Sequence, residues 1–184
     1  DNIKDVVPLE KGDEMSGEFT ADLFVEGYLS TLEKEEYEKF KAMGTLHARN
    51  IKYVSDSLDY TVYLKEAEMV FSPQFVALNK MDLMLGESDF NANGRLENFI
   101  GYALKENQVL KGNLVLKSTY MNLNELAGMD EEEVAAAEED SSLMEVVLIP
   151  ENIDFTMTTT IGKVLYEQLL IENINGSVEL NDEK

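Results

Sequence analysis

Five segments of the chain open with the same unit: a glycine, any residue, an apolar residue, then alternation. They begin at Gly17, Gly44, Gly94, Gly112 and Gly176. In each, the glycine keeps the parity of the apolar residues, as in Gly17, Phe19, Ala21, Leu23 and Val25, or Ile174, Gly176, Val178 and Leu180. Side chains on a strand alternate faces with period two, so the glycine and the apolar set share one face. A turn built on each glycine would not have to keep that phase. The pattern predicts long strands, each with a bare spot on its apolar side where the sheet bends or a neighbour approaches closely.

At 184 residues the chain suits one domain or a piece of a larger repetitive one. Residues 1–16 lack sustained periodicity and read as a leader into a single β domain over 17–184. Ser30 to Glu33 has the form of a capping box, and Leu32, Tyr37, Phe40 and Met43 share one side of a short helix ending before Gly44. From Gly44 to Gly86 strand follows strand, with phase changes at Lys65-Glu66 and at Lys80 that predict bulges. Asn98 to Asn107 and Asn122 to Met129 predict short helices, and residues 129–142 an acidic mobile loop. Ile153 to Ile161 alternates cleanly, Val164 to Leu170 is ambiguous, and Ile171 to Leu180 closes the chain. About nine to eleven strands and two or three short helices define a mainly β class. The expected architecture is a curved, partly open, repetitive antiparallel sheet forming a groove.

The formal net charge of −22 argues against partners with phosphate backbones, so no nucleic acid is expected. Seven of the carboxylates fall in two runs, Asp130 to Glu133 and Glu138 to Asp140. The absence of cysteine removes disulfides and thiolate-bound metal. No apolar run reaches the ~20 residues of a membrane-spanning helix.

Asp89, Asn91, Asn93 and Gly94 match the opening of an EF-hand loop, but its twelfth position is Ile100 where a bidentate Glu is needed. His47, the one histidine, falls on the polar side of its strand. There is no nucleophile elbow and no phosphate-cradling glycine loop. The sequence therefore predicts a non-enzymatic protein with no metal and no cofactor.

The run Phe71-Ser-Pro-Gln-Phe-Val-Ala-Leu, the stretch from Leu85 to Lys105, and Leu110-Lys-Gly-Asn-Leu-Val-Leu-Lys-Ser-Thr-Tyr-Met-Asn-Leu-Asn-Glu carry a resemblance. So does the acidic insertion followed by Val147-Leu-Ile-Pro-Glu-Asn-Ile-Asp-Phe. Over roughly residues 17–180 the chain resembles the carboxy-terminal region of AsmA-family proteins, especially those of the Bacteroidetes type, which are similar to TamB-like and bridge-like lipid-transport proteins. The resemblance implies a periplasmic body, anchored in the inner membrane by a segment outside this chain, with a role in outer-membrane maintenance and phospholipid movement. It supplies no catalytic residues.

Met69, Phe71, Leu83, Leu85, Leu114, Leu116, Phe155 and Met157 are the candidates for one continuous lipid-bearing surface. Nine methionines and no tryptophan suit a surface that adapts to varied shapes. The rival expectation is a structural or scaffolding module of outer-membrane biogenesis, in which the same residues form a closed core and the sheet edges recruit partners. Exposed edges also predict self-association of the isolated chain.

Overall fold

The computed structural model describes residues 12–28, 41–56, 58–104, 108–128 and 152–181. They form one eight-stranded sheet whose strands lie side by side in chain order and do not close into a barrel. The strands are β1 (Glu14–Glu26), β2 (Lys41–Val54), β3 (Val62–Phe71), β4 (Phe75–Leu85), β5 (Ser88–Glu97), β6 (Leu110–Asn122), β7 (Ile153–Tyr166) and β8 (Leu169–Asn181). Two short helices, α1 (Phe99–Leu104) and α2 (Leu123–Leu126), follow β5 and β6. The helix expected before Gly44 and the acidic loop lie outside the described residues, except that Lys41, Ala42 and Met43 belong to β2 and are strand, paired with β1, where helix was expected.

Six of the seven strand pairs are antiparallel; β6 and β7 are parallel. A parallel neighbour cannot be reached by a hairpin and needs a long crossover. The segment from α2 to residue 152 makes that connection, so the sheet is mixed. Leu58 and Tyr60, which alternate with Val62 and Leu64, precede β3 and are not part of it. The ambiguous stretch after Val164 is the end of β7, a two-residue turn at Glu167 and Gln168, and the start of β8.

All five repeated glycines lie inside strands, as their phase requires. The predicted phase changes are also present. The β3–β4 register shifts between Leu64 and Glu66, and the β4–β5 register shifts between Leu78 and Met81. Each bulge inserts one extra residue and bends its strand. A further irregular position is Asn50 in β2, with φ of 51°, whose side-chain oxygen accepts from the Tyr63 hydroxyl at 2.9 Å.

Side chains substitute for backbone where the ladders run out. The β5–β6 register ends at Asn91 and Lys117, leaving the far end of β6 without ladder partners on that side. There the Asp89 carboxylate accepts from the backbone N–H groups of Thr119 (2.8 Å) and Tyr120 (2.8 Å). The buried Ser88 hydroxyl accepts from Asn122 N–H at 2.9 Å. At the β7–β8 turn, Glu167 has φ of 52°, a conformation that costs a non-glycine residue. Asn124 of α2 holds it: its Oδ1 accepts from Glu167 N–H at 2.6 Å and its Nδ2 donates to Glu167 C=O at 2.9 Å.

Two glycine positions test this packing. A Cβ on Gly112 would meet Leu96 Cδ2 at 2.6 Å and Arg95 O at 2.8 Å, whereas one on Gly176 would meet nothing within 4 Å. Gly112→Ala is expected to lower stability by about 1–3 kcal/mol, as overpacking does. Gly176→Ala should be neutral or stabilising by up to about 1 kcal/mol. Asn124→Ala, which leaves the turn's backbone groups without partners, should cost about 1–3 kcal/mol. Urea midpoints at constant m-value distinguish the three.

Candidate functional site

Cross-strand partners in a sheet share a face, so the register assigns every side chain to one side. One row runs Leu23, Gly44, Phe71, Val76, Leu96, Gly112, Phe155, Leu180 from β1 to β8. The next runs Ala21, Leu46, Met69, Leu78, Gly94, Leu114, Met157, Val178. A third runs Phe19, Ala48, Ala67, Met81, Ala92, Leu116, Thr159, Gly176. Across all three rows the one polar side chain is Thr159. Leu83 and Leu85 continue the face along β4, opposite Leu64 and Val62. All eight residues singled out from the sequence therefore lie on one face. They form two groups, on β3–β4 and on β6–β7, joined through Phe90, Ala92 and Gly94 of β5.

Gly44 and Gly112 are thin places of these rows, and large neighbours lean over them. An added Cβ on Gly44 would lie 2.7 Å from Leu23 Cδ2 and 2.8 Å from Phe71 Cε1. At Gly112 it would lie 3.0 Å from Phe155 Cδ2.

The bulges keep the face continuous. Across each irregular position the apolar residues are three apart instead of two: Ala48 and Ile51, Leu64 and Ala67, Leu78 and Met81, Ile161 and Val164, Ile171 and Ile174. A strand kept to strict alternation would turn its second half to the opposite side. This i, i+3 spacing within an alternating run was the available signal for Ile51, Leu78 and Val164, which sequence reasoning did not place on the surface.

The face is open among the described residues. The apolar residues that reach full burial are Ile51, Ala92, Ile161 and Val164. None of the eight candidates does; each is half-buried. Toward the margins exposure grows, to 56% at Leu23 and 48% at Val178. Seven inter-strand spacings of about 4.8 Å and ten residues at about 3.3 Å frame a surface on the order of 1,000 Å². Ser118 is a polar intrusion, buried with its hydroxyl unpartnered.

The opposite face is polar and held by charge. Glu66 lies between Arg49 (3.5 Å) and Lys80 (2.5 Å), and Lys65 reaches Asp82 at 3.1 Å. His47 lies on this side, between Thr20 and Glu68, and with Glu18, Thr20 and Arg49 lines an open depression of about 250 Å³. A second depression, of about 310 Å³, is lined by residues including Phe24, Met43 and Val70. Asp89, the first residue of the EF-hand look-alike, spends its carboxylate on the β6 backbone. No group of three or more His, Asp or Glu side chains able to hold a metal ion occurs among the described residues, and no described helix is long and apolar enough to cross a membrane.

No family model, curated protein or solved structure matches the chain.

The polar face yields a titration. The hydrogen bond from Lys80 and its charge, with a smaller contribution from Arg49, hold the Glu66 carboxyl below its ordinary 4.5. The same partner raises the Lys80 ammonium. The stabilisation from Glu66 is thus present above the ordinary carboxylate range and is lost as pH falls through its depressed value. That from Lys80 is present below its ordinary 10.5 and is lost as pH rises through its raised value. Carbon-detected NMR titration should find Glu66 below 4.5, and Lys80→Met should move it upward. Because the pair lies at the solvent surface, with Lys80 exposed and Glu66 partly so, the melting temperature at neutral pH should hardly change.

Proposed function

We propose that the chain is a segment of a hydrophobic conduit, whose open apolar face shelters phospholipid acyl chains while the polar face stays in water. The observation that carries this reading is the continuity of the three apolar rows across all eight strands, on a face that stays half-exposed. The acyl region of one leaflet is about 15 Å deep, half the ~30 Å hydrocarbon core. Strands of ten residues or more, about 33 Å long, exceed that depth. A tail lying across the rows meets Leu, Met, Phe and Val side chains at every strand, and each CH2 removed from water contributes about 0.8 kcal/mol. Movement along the rows then needs no covalent step, since each position offers a similar environment.

The AsmA resemblance supports the same reading and adds its setting: a periplasmic segment of an inner-membrane-anchored protein that maintains the outer membrane. No catalytic group or cofactor enters the proposal.

Native mass spectrometry of the purified chain, with organic extraction, tests it. The expected result is co-purifying phospholipid that is lost in Leu116→Glu and Phe155→Glu while the melting temperature stays within a few degrees. The half-exposed positions let the new carboxylates reach water, so the fold should persist. A lipid-free protein that takes up no added phospholipid would sink the conduit. If the same substitutions unfold it, as burial of an unpaired charge would, the apolar face is a closed core and the chain a scaffold.

A further inference from the structure

Among the described residues β1 forms one margin of the sheet and pairs with β2 alone. Every residue from Ser16 to Tyr28 is exposed. From Glu18 to Glu26 its register with β2 is unbroken, and the strand contains no proline. Natural edges are usually blunted by short strands, bulges, proline, or charges placed on the inward side. The apolar side of this stretch has none of these, and Phe19, Leu23 and Val25 stand 49%, 56% and 62% exposed. Half the backbone groups of such an edge point outward, ready for another strand.

The polar side says what kind of strand. Each interior strand, β2 to β7, carries at least one Lys or Arg, while β1 and β8 carry none. Carboxylates of interior strands meet bases from the strand beside them, as in Arg49–Glu66, Lys80–Glu66 and Lys65–Asp82, and Glu172 at the far margin meets Lys163 of β7. β1 sets Glu14, Glu18, Asp22 and Glu26 in one row, spaced four residues and so about 13 Å apart. Lys41 of β2 satisfies Glu26 at 3.3 Å, whereas Glu14, Glu18 and Asp22 have no ion pair among the described residues. Glu18 does stand opposite Arg49, but that guanidinium reaches Glu66 on its other side at 3.5 Å, and among the described residues no base lies on the outer side of β1.

We propose that the free edge of β1 takes up an added strand from a partner protein, one that alternates apolar residues with polar ones and carries a base at every fourth position. A second copy of the chain fits poorly. β1 against β1 sets carboxylate against carboxylate, and β8 offers Glu172 and Glu179 with no base. This assignment rests on the edge and is independent of whether the apolar face carries lipid.

The test uses the full chain and two labelled nine-residue peptides. One reads Lys-Val-Thr-Val-Lys-Val-Thr-Val-Lys; the other has Glu in place of each Lys. Fluorescence anisotropy should show the basic peptide binding at least tenfold more tightly than the acidic one. Hydrogen exchange should show its protection on β1 amides. The double variant Glu18→Lys/Asp22→Lys changes two exposed side chains, leaves the fold intact, and should invert the preference. Absence of binding, equal affinity for both peptides, an unchanged preference in the variant, or protection confined to β8 or to the apolar face would each overturn the proposal. Sedimentation showing that the native chain dimerises through β1 would do so as well.

Discussion

The structure depends on keeping one phase. A strand has only two sides, and a single extra residue exchanges them. Here the apolar set stays on one side through every irregular position, because the spacing across each bulge is three where elsewhere it is two. The bulges therefore bend the strands without breaking the surface. Were the apolar residues to alternate strictly through Asn50 or Lys65, the far halves of β2 and β3 would turn Ile51 and Leu64 toward the charged face. Gly44 and Gly112 do complementary work: they lie in the same rows and admit the rings and methyl groups of their neighbours, so that Phe71 and Phe155 lie over gaps that a Cβ would fill.

Most of this phase was legible in the sequence, since it is a property of successive residues. The glycine parity placed Gly17, Gly44, Gly94, Gly112 and Gly176 within strands, and the changes of phase near Lys65 and Lys80 located two bulges. All eight residues read as a candidate surface share a face for the same reason. Features that depend on a distant partner were not legible. Nothing local distinguishes β6 beside a parallel β7 from β6 beside an antiparallel one. Met43 has helical spacing to Tyr37 and Phe40, yet it is fixed by pairing with Phe24 on the polar side of β1. The turn at Glu167 lacks glycine and is held from α2 by Asn124, a contact between residues 43 positions apart. That is why the stretch around it read as ambiguous.

A single-layer sheet leaves few interior positions, and the burial found here agrees: the apolar residues that reach full burial lie where bulges or the central strands crowd the surface, at Ile51, Ala92, Ile161 and Val164. Stability must then come from ladders, from cross-strand contacts within each apolar row, and from side chains that cap the ends. Exposed ion pairs such as Lys80–Glu66 add little individually. Their arrangement sets carboxylates beside bases of the next strand, as at Arg49–Glu66 and Lys65–Asp82, on the side away from the apolar rows.

The same openness that costs core leaves the apolar rows accessible among the described residues. In a closed sandwich the second layer would occupy the rows permanently, and the exposure of Leu23, Phe19 and Val178 would have no counterpart. In an open sheet each row is a lane of similar apolar side chains running from edge to edge, interrupted once by Thr159. From β3 to β7 the middle row passes Met69, Leu78, Gly94, Leu114 and Met157 in turn, with no charge among them. A pocket with convergent polar groups would hold a ligand in one pose; a lane lacking such groups binds by area alone, which is non-directional. Binding by area alone would let the proposed acyl guest slide from row to row.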